Sequence, residues 1–328
     1  EFAHLLSHYD DETLAYINLQ AREVANAHFG KGVYIRGLIE ISNHCRNNCK
    51  YCGIRKDNWQ ADRYRLSKEM ILDCCEHGYK LGFRSFVLQG GEDPKRSDYD
   101  MEEIIAEIRR CYPECAITLS IGEKPSKAYE RYFMKGANRY LLRHETIDRG
   151  HYYCLHPYEM SNERRIKCLH ELKRIGYQTG TGIMVGSPLQ TVEYLIEDIR
   201  FIESFHPEMI GIGPFIPHQR TPFCDENPGS VELTLLLLSI FRLMHPQALI
   251  PSTTALASLA PDGRVRGILA GANVVMPNLS PIIVRNKYDL YDQKVAFGAE
   301  AAEGLALLEK QLADVGYHID YSRGDYND

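Results

Sequence analysis

Short β-branched or apolar runs alternate along this chain with longer stretches in which apolar residues recur every three or four positions. The short runs predict strands over 33–41, 85–88, 116–120, 140–142, 178–184, 209–213, 248–252 and 273–276. The helical period between them is clearest over 68–81, 101–111, 127–135, 162–175, 191–205 and 231–244. Strand followed by helix, repeated around the chain, predicts an α/β fold: parallel strands closed into a TIM-type (β/α)8 barrel. An open doubly wound sheet is the second choice, but no Gly-x-Gly-x-x-Gly loop follows the first strand. An N-terminal helical extension is expected over 11–28, with a helical remnant before it. Residues 305–315 read as a closing helix and 321–328 as a frayed end. No repeat, low-complexity segment or linker divides the chain. The expectation is one domain over 1–328, with helices to about 30 and the barrel over about 33–315.

Composition narrows the class. Of 328 residues, 44% are hydrophobic and 25% charged, as in an ordinary globular protein. A net charge of −6 argues against a nucleic-acid partner. The longest apolar run, 235–241, ends at Arg242 and is too short to cross a membrane. Ten cysteines without a visible secretion signal suggest a reducing compartment, the cytoplasm. Seven of them, Cys74, Cys75, Cys111, Cys115, Cys154, Cys168 and Cys224, follow no tight ligand spacing and are expected to be small buried hydrophobes.

The other three stand close together. Cys45, Cys49 and Cys52 form a C-x3-C-x2-C run, with Tyr51 before the last. Three thiolates at this spacing can hold a [4Fe–4S] cluster by three irons and leave the fourth open. Zinc on the three cysteines and His44 is an alternative, although structural zinc sites usually combine two separated ligand pairs. A disulfide knot is disfavoured in a chain long enough to bury an ample core.

The remaining unusual motifs fall where expected strands end, and in such barrels the active site lies at the C-terminal ends of the strands. Gln89, Gly90, Gly91, Glu92 and Asp93 follow the second strand, and Ser120 closes the third. Arg143, His144 and Glu145 follow the fourth, Met184 ends the fifth, and Thr253 and Thr254 follow the seventh. The bland readings are a tight turn for Gly90-Gly91, a surface charge run for residues 143–145, and a structural role for His218. Polar residues directly after apolar Leu141 and Leu142 better suit the barrel mouth.

Taken together, the cysteine loop and the Gly-Gly-Glu run resemble the radical S-adenosylmethionine (SAM) superfamily. The runs 139–146, 211–218, 253–255 and 272–278 are similar to its branch of HydE-type [FeFe]-hydrogenase maturases. That resemblance implies one [4Fe–4S] cluster on Cys45, Cys49 and Cys52, with SAM on the open iron. It implies SAM contacts at Tyr51, Gln89, Gly90, Gly91, Glu92, Glu145, Arg165 and Met184. It implies a substrate cavity lined by Ser120, Arg143, Thr253, Thr254, Met276, Tyr288 and Tyr291. The implied activity is reductive SAM cleavage to a 5′-deoxyadenosyl radical that adds to a sulfur of a cysteine-bound Fe(CO)2(CN) complex, in assembly of the hydrogenase di-iron cofactor. An anionic complex needs a cation, and Arg143 is the candidate. Implied partners are a small-molecule or organometallic substrate, an electron donor and other hydrogenase maturation proteins; a monomer is expected, with no membrane contact. Many family members carry three C-terminal cysteines for a second cluster, whereas this sequence has none after Cys224. Some have Ser at the position of Gly90. The alternatives are a substrate of the 3-methylornithine synthase or biotin synthase kind, or a non-enzymatic iron–sulfur carrier.

Overall fold

The structure is a computed structural model that describes residues 2–326. Two helices open the chain, α1 (Phe2–His8) and α2 (Asp11–Phe29). Asp10 caps α2 by accepting from Thr13 N at 2.8 Å. The first strand follows in two pieces, β1 (Gly32–Ile35) and β2 (Gly37–Ser42). Then come α3 (Lys68–Lys80), β3 (Ser85–Gly90), α4 (Asp98–Cys111), β4 (Ala116–Ser120), α5 (Ser126–Met134) and β5 (Arg139–Leu141). Two helices, α6 (Arg149–Leu155) and α7 (Asn162–Ile175), lead to β6 (Gln178–Thr181) and β7 (Met184–Val185). After α8 (Val192–Phe205) come β8 (Met209–Ile210), β9 (Gly213–Pro214), α9 (Val231–Met244), α10 (Thr254–Leu259) and α11 (Gly263–Leu269). The chain ends with β10 (Val274–Val275), α12 (Ile282–Arg285), α13 (Leu305–Ala313) and β11 (His318–Asp320).

The strands pair in parallel in the order β2-β3-β4-β5-β6-β8, and single bridges carry the ring onward. Met209 bridges to Leu249, Pro251 to Val274, and Leu38 to Asn278, which returns to β2. The sheet therefore closes on itself, as the strand–helix alternation predicts, and an open sheet is excluded. Along β2 the side chains alternate: Ile39 and Ile41 are buried in the apolar core, whereas Leu38 and Glu40 line the central cavity.

Local chemistry explains where strands break. The Arg36 N–H donates to Val275 O at 2.9 Å, at the point where the first strand changes partners between β10 and β3. The expected seventh strand survives only as bridges at Leu249 and Pro251, because proline has no N–H for a ladder. Gly182 and Gly211 let strands five and six approach so closely that a Cβ on Gly182 would lie 1.9 Å from Gly211 O.

Two sequence expectations need correction. The segment after residue 320 is not frayed as far as Tyr326; Asn327 and Asp328 lie outside the described residues. β11 pairs with β1, and the buried Arg139 donates to Arg323 O, Gly324 O and Asp325 Oδ1 at 3.2, 2.7 and 2.7 Å. Cys111 and Cys224 are exposed, not buried; one sits at the end of α4 and the other in the loop before α9. Cys74, Cys75, Cys115 and Cys168 are buried as expected, and Cys154 is half-buried.

Candidate active site

The cysteine loop leaves β2 at the C-terminal end of the barrel and packs on the end of β3. A Cβ on Gly91 would lie 2.3 Å from His44 O and 2.8 Å from Cys45 Cβ, so this contact requires glycine. Burial, and then the neighbouring thiols Cys52 and Cys45, push the Cys49 thiol well up. Burial likewise pushes Cys52 up to about 12. Among the described residues no three His, Cys, Asp or Glu side chains converge on a point that one metal ion could occupy. A zinc ion on Cys45, Cys49, Cys52 and His44 would need such convergence. A four-iron cluster does not, since each thiolate binds a different iron. The donor set therefore fits a cluster.

Tyr51 and Cys52 open onto a cavity of about 340 Å³ enclosed by the barrel. Tyr51 is fixed by a neighbour that the sequence does not reveal. His156 Nδ1 lies 3.0 Å from Tyr152 O, which places its proton there, and its Nε2 then accepts from Tyr51 Oη at 3.1 Å. Burial pushes His156 down to about 3, consistent with a neutral ring. Met160 Sδ stands 3.8 Å from Cys49 Sγ.

The cavity wall holds Gln89, Gly90, Glu145, Arg165 and Met184. Glu145 has φ +67°, a left-handed conformation that a non-glycine residue rarely adopts. Its N–H donates to Gly182 O at 3.1 Å, which pins the turn. Arg165 donates to Glu123 Oε1 at 2.6 Å and to Arg143 O at 2.9 Å. Two of the expected SAM contacts point elsewhere. Gly91 packs under the cysteine loop. The Glu92 carboxylate accepts from Arg46 Nε at 2.8 Å and from Glu123 N at 2.9 Å and is not part of the cavity wall. Gly122, at φ +75°, makes room for it.

The same wall brings together Ser120, Arg143, Thr253, Thr254, Met276 and the two tyrosines, Tyr288 and Tyr291. Arg143 Nη2 approaches Glu145 Oε2 at 2.9 Å as an ion pair without hydrogen-bond alignment, and its Nε and Nη2 have no acceptor. Thr253 Oγ1 is also buried without a partner. Thr254 Oγ1 is committed to Glu300 Oε2 at 2.7 Å. Below the main cavity, the buried Arg36 guanidinium leaves Nε and Nη2 unpartnered near Thr118.

Sequence reasoning missed Glu40 and Lys294, which form a buried ion pair in the wall. A lone carboxylate between Ile39 and Ile41 is the signal that marks Glu40. Lys294, Leu290 and the two tyrosines come from one strap, 287–295, that crosses the barrel mouth. The strap is tied to the cysteine loop by Gly53 N to Leu290 O at 2.8 Å, and to the loop after β9 by Asp292 N to Pro217 O at 3.0 Å. His218 Nδ1 accepts from Arg220 N at 3.0 Å, so its Nε2 carries the proton and donates to Asp289 Oδ2 at 3.0 Å. His218 is thus a structural histidine, as its bland reading holds.

Residues 39–202 match the radical SAM superfamily. The chain belongs to the radical SAM superfamily. It is 42% identical over 275 residues to the [FeFe] hydrogenase maturase subunit HydE of Thermotoga maritima, covering 84% of this chain and 78% of that protein. It is 30% identical to the 3-methylornithine synthase of Methanosarcina acetivorans, covering 83% of this chain and 76% of that one. Among solved structures, methylornithine synthase (PylB) superposes with a TM-score of 0.85 at 26% identity, covering 97% and 93% of the two chains. The maturase HydG from Carboxydothermus hydrogenoformans reaches 0.78 at 21% identity, over 96% and 74%, a likeness of fold alone. Membership of the radical SAM superfamily makes the chain an enzyme and implies SAM and an iron–sulfur cluster as its cofactors. Among the described residues no helix is long and apolar enough to cross a membrane.

Proposed function

We propose that this enzyme acts in assembly of the [FeFe]-hydrogenase di-iron cofactor, on a cysteine-bound Fe(CO)2(CN) complex, as one barrel domain in a reducing cytoplasm. The observation that carries the reading is Arg143, a cation in the cavity wall with two guanidinium nitrogens that have no acceptor, in the same wall as the unpartnered Thr253 hydroxyl. Of the other cations in the wall, Arg165 is held by Glu123 and Lys294 by Glu40, whereas Arg143 has only the unaligned 2.9 Å contact with Glu145. Arg143 and Thr253 are donors waiting for an anion rich in acceptor atoms. The 42% identity to a HydE protein points the same way.

Cys45, Cys49 and Cys52 would hold one [4Fe–4S] cluster, with SAM beside it. When bound, these groups supply a 5′-deoxyadenosyl radical and so carry the difficult chemistry. The rest falls to the chain. The Glu145 carboxylate suits the SAM ammonium group, and the Arg165 fork suits its carboxylate. Gln89, at the end of β3, and Tyr288, on the strap, face the same cavity. The strap carrying Tyr288 and Tyr291 excludes water from the reacting space. Arg143 and Thr253 orient the substrate by its ligands.

The test is anaerobic. The reconstituted protein is given SAM and reductant, and 5′-deoxyadenosine is assayed with and without the iron complex. Formation that depends on the complex, with a deoxyadenosyl adduct on its sulfur, supports the reading. Cleavage indifferent to the complex would move the substrate toward an amino acid or thiol metabolite. A loaded cluster that never cleaves SAM would refute both.

A further inference from the structure

The loop that carries the three cysteines bears charge of one sign. The whole chain has a net charge of −6, yet from Cys45 to Lys56 it holds Arg46, Lys50, Arg55 and Lys56 and no carboxylate. Lys56 is exposed, as is Arg46, which pairs with Glu92 at 2.7 Å, and the exposed Arg220 reaches in from the loop after β9, donating to Gln60 O at 3.1 Å. Two carboxylates follow before Arg63. Asp57 accepts from Asn48 Nδ2 at 2.8 Å, and Asp62 pairs with Lys287 at 2.8 Å.

Two large exposed rings lie on segments bonded to the cysteine loop; Trp59 follows Asn58, which donates to Gly53 O at 2.6 Å. Trp59, the only tryptophan in the chain, is 84% exposed, and Tyr158 is 88% exposed. Tyr158 stacks on Tyr153 at 5.9 Å, and Lys50 Nζ donates to Tyr153 O at 3.2 Å. The rings and cations are thus joined through the cysteine loop itself. Trp, Tyr and Arg are the residue types that anchor protein interfaces.

We infer that this rim is the docking surface for an acidic iron–sulfur electron-carrier protein. The inference rests on the reading of Cys45, Cys49 and Cys52 as cluster ligands. Such a cluster needs an electron from outside for reductive SAM cleavage, and the cysteine loop is where the site meets the surface: Arg46 adjoins Cys45, and Lys50 adjoins Cys49. A cationic rim steers an acidic partner to that point and makes the encounter salt-dependent. One electron leaves the carrier's reduced cluster and enters this one; no bond or proton changes hands.

Trp59 supplies the readout. The reconstituted protein is titrated with an oxidised, acidic two-cluster ferredoxin that contains no tryptophan, and Trp59 emission is followed. Saturable quenching is expected, weakening about tenfold or more between low and moderate salt. The double charge reversal Lys56→Glu with Arg220→Glu should raise the Kd at least about tenfold. It should slow cluster reduction by reduced ferredoxin in proportion, and leave reduction by a photoexcited deazaflavin unchanged. Quenching that never saturates, or a double variant whose Kd and reduction rate stay within about twofold, would overturn the docking surface alone. So would equal slowing with both reductants. A chain that took up no iron would overturn the cluster reading and this inference with it.

Discussion

Arg143 stands in the cavity wall with two guanidinium N–H groups that no protein acceptor takes. A buried unpaired donor costs about 1–3 kcal/mol, which a bound anion recovers. Arg143→Met is therefore expected to lower kcat/KM for the iron complex about 100-fold, or ~2.7 kcal/mol, while the Kd for SAM moves less than about threefold. Equal losses for both ligands would place Arg143 in the SAM site instead. Two buried histidines set a limit of another kind. Burial pushes His156 down to about 3 and His245 down to about 4. Both are neutral in the folded chain, and on unfolding they regain an ordinary value of about 6.5. The unfolded state then binds more protons below that pH, so stability is full above it and falls as pH drops toward the folded values. The Tm should decline from pH 6.5 downward, and His156→Gln should flatten part of that slope. A slope identical in variant and parent would show that His156 contributes nothing to it.

The strap over 287–295 makes cluster loop and substrate wall one mechanical unit. Its junction is Gly53, directly after Cys52, where a Cβ would lie 2.1 Å from Asp289 O and 2.4 Å from the His218 ring. Gly53→Ala is expected to push the strap off, costing about 1–3 kcal/mol. Hydrogen exchange should quicken in 287–295 and remain unchanged in α3 and α4; uniform acceleration would mean global destabilisation instead. Of this strap only Tyr288 and Tyr291 were expected, through the family resemblance, because its cavity-facing residues follow neither the helical nor the strand period. The cysteine loop was legible because its three donors lie within eight consecutive residues. The eight strand positions were legible from alternation, but their breaks were not. Arg36 stands where the first strand changes partners between β10 and β3, which only the closed ring reveals. Glu40 stood in view as a lone carboxylate between Ile39 and Ile41, but only the closed barrel shows that it lines the cavity.

At the scale of the whole molecule, the barrel is open to ligands at one end and closed at the other. The C-terminal segment does the closing. β11 lies beside β1, Tyr326 N reaches Gln178 Oε1 at 3.4 Å, and Gly324 packs over the Tyr34 ring. Arg139, at the start of β5 and fully buried, holds this segment across the base through its two carbonyls and Asp325. Its guanidinium also donates to Ser85 Oγ at 3.0 Å and Gln178 Oε1 at 2.9 Å, so strands two, four and five share one cation. Removing one partner of such a buried network leaves the others unpaired, a loss of about 3–5 kcal/mol. Arg139→Met should lower the urea midpoint accordingly and free the tail to protease cleavage after residue 320. The milder Asp325→Asn keeps the carbonyl contacts and should cost about 1 kcal/mol. If the tail serves as a plug, both variants admit solvent from below, and SAM cleavage without substrate should rise as the tail loosens. A destabilised Arg139→Met with tail protection and uncoupled cleavage both unchanged would make the segment a surface addition, and the barrel base would then be closed by its own side chains.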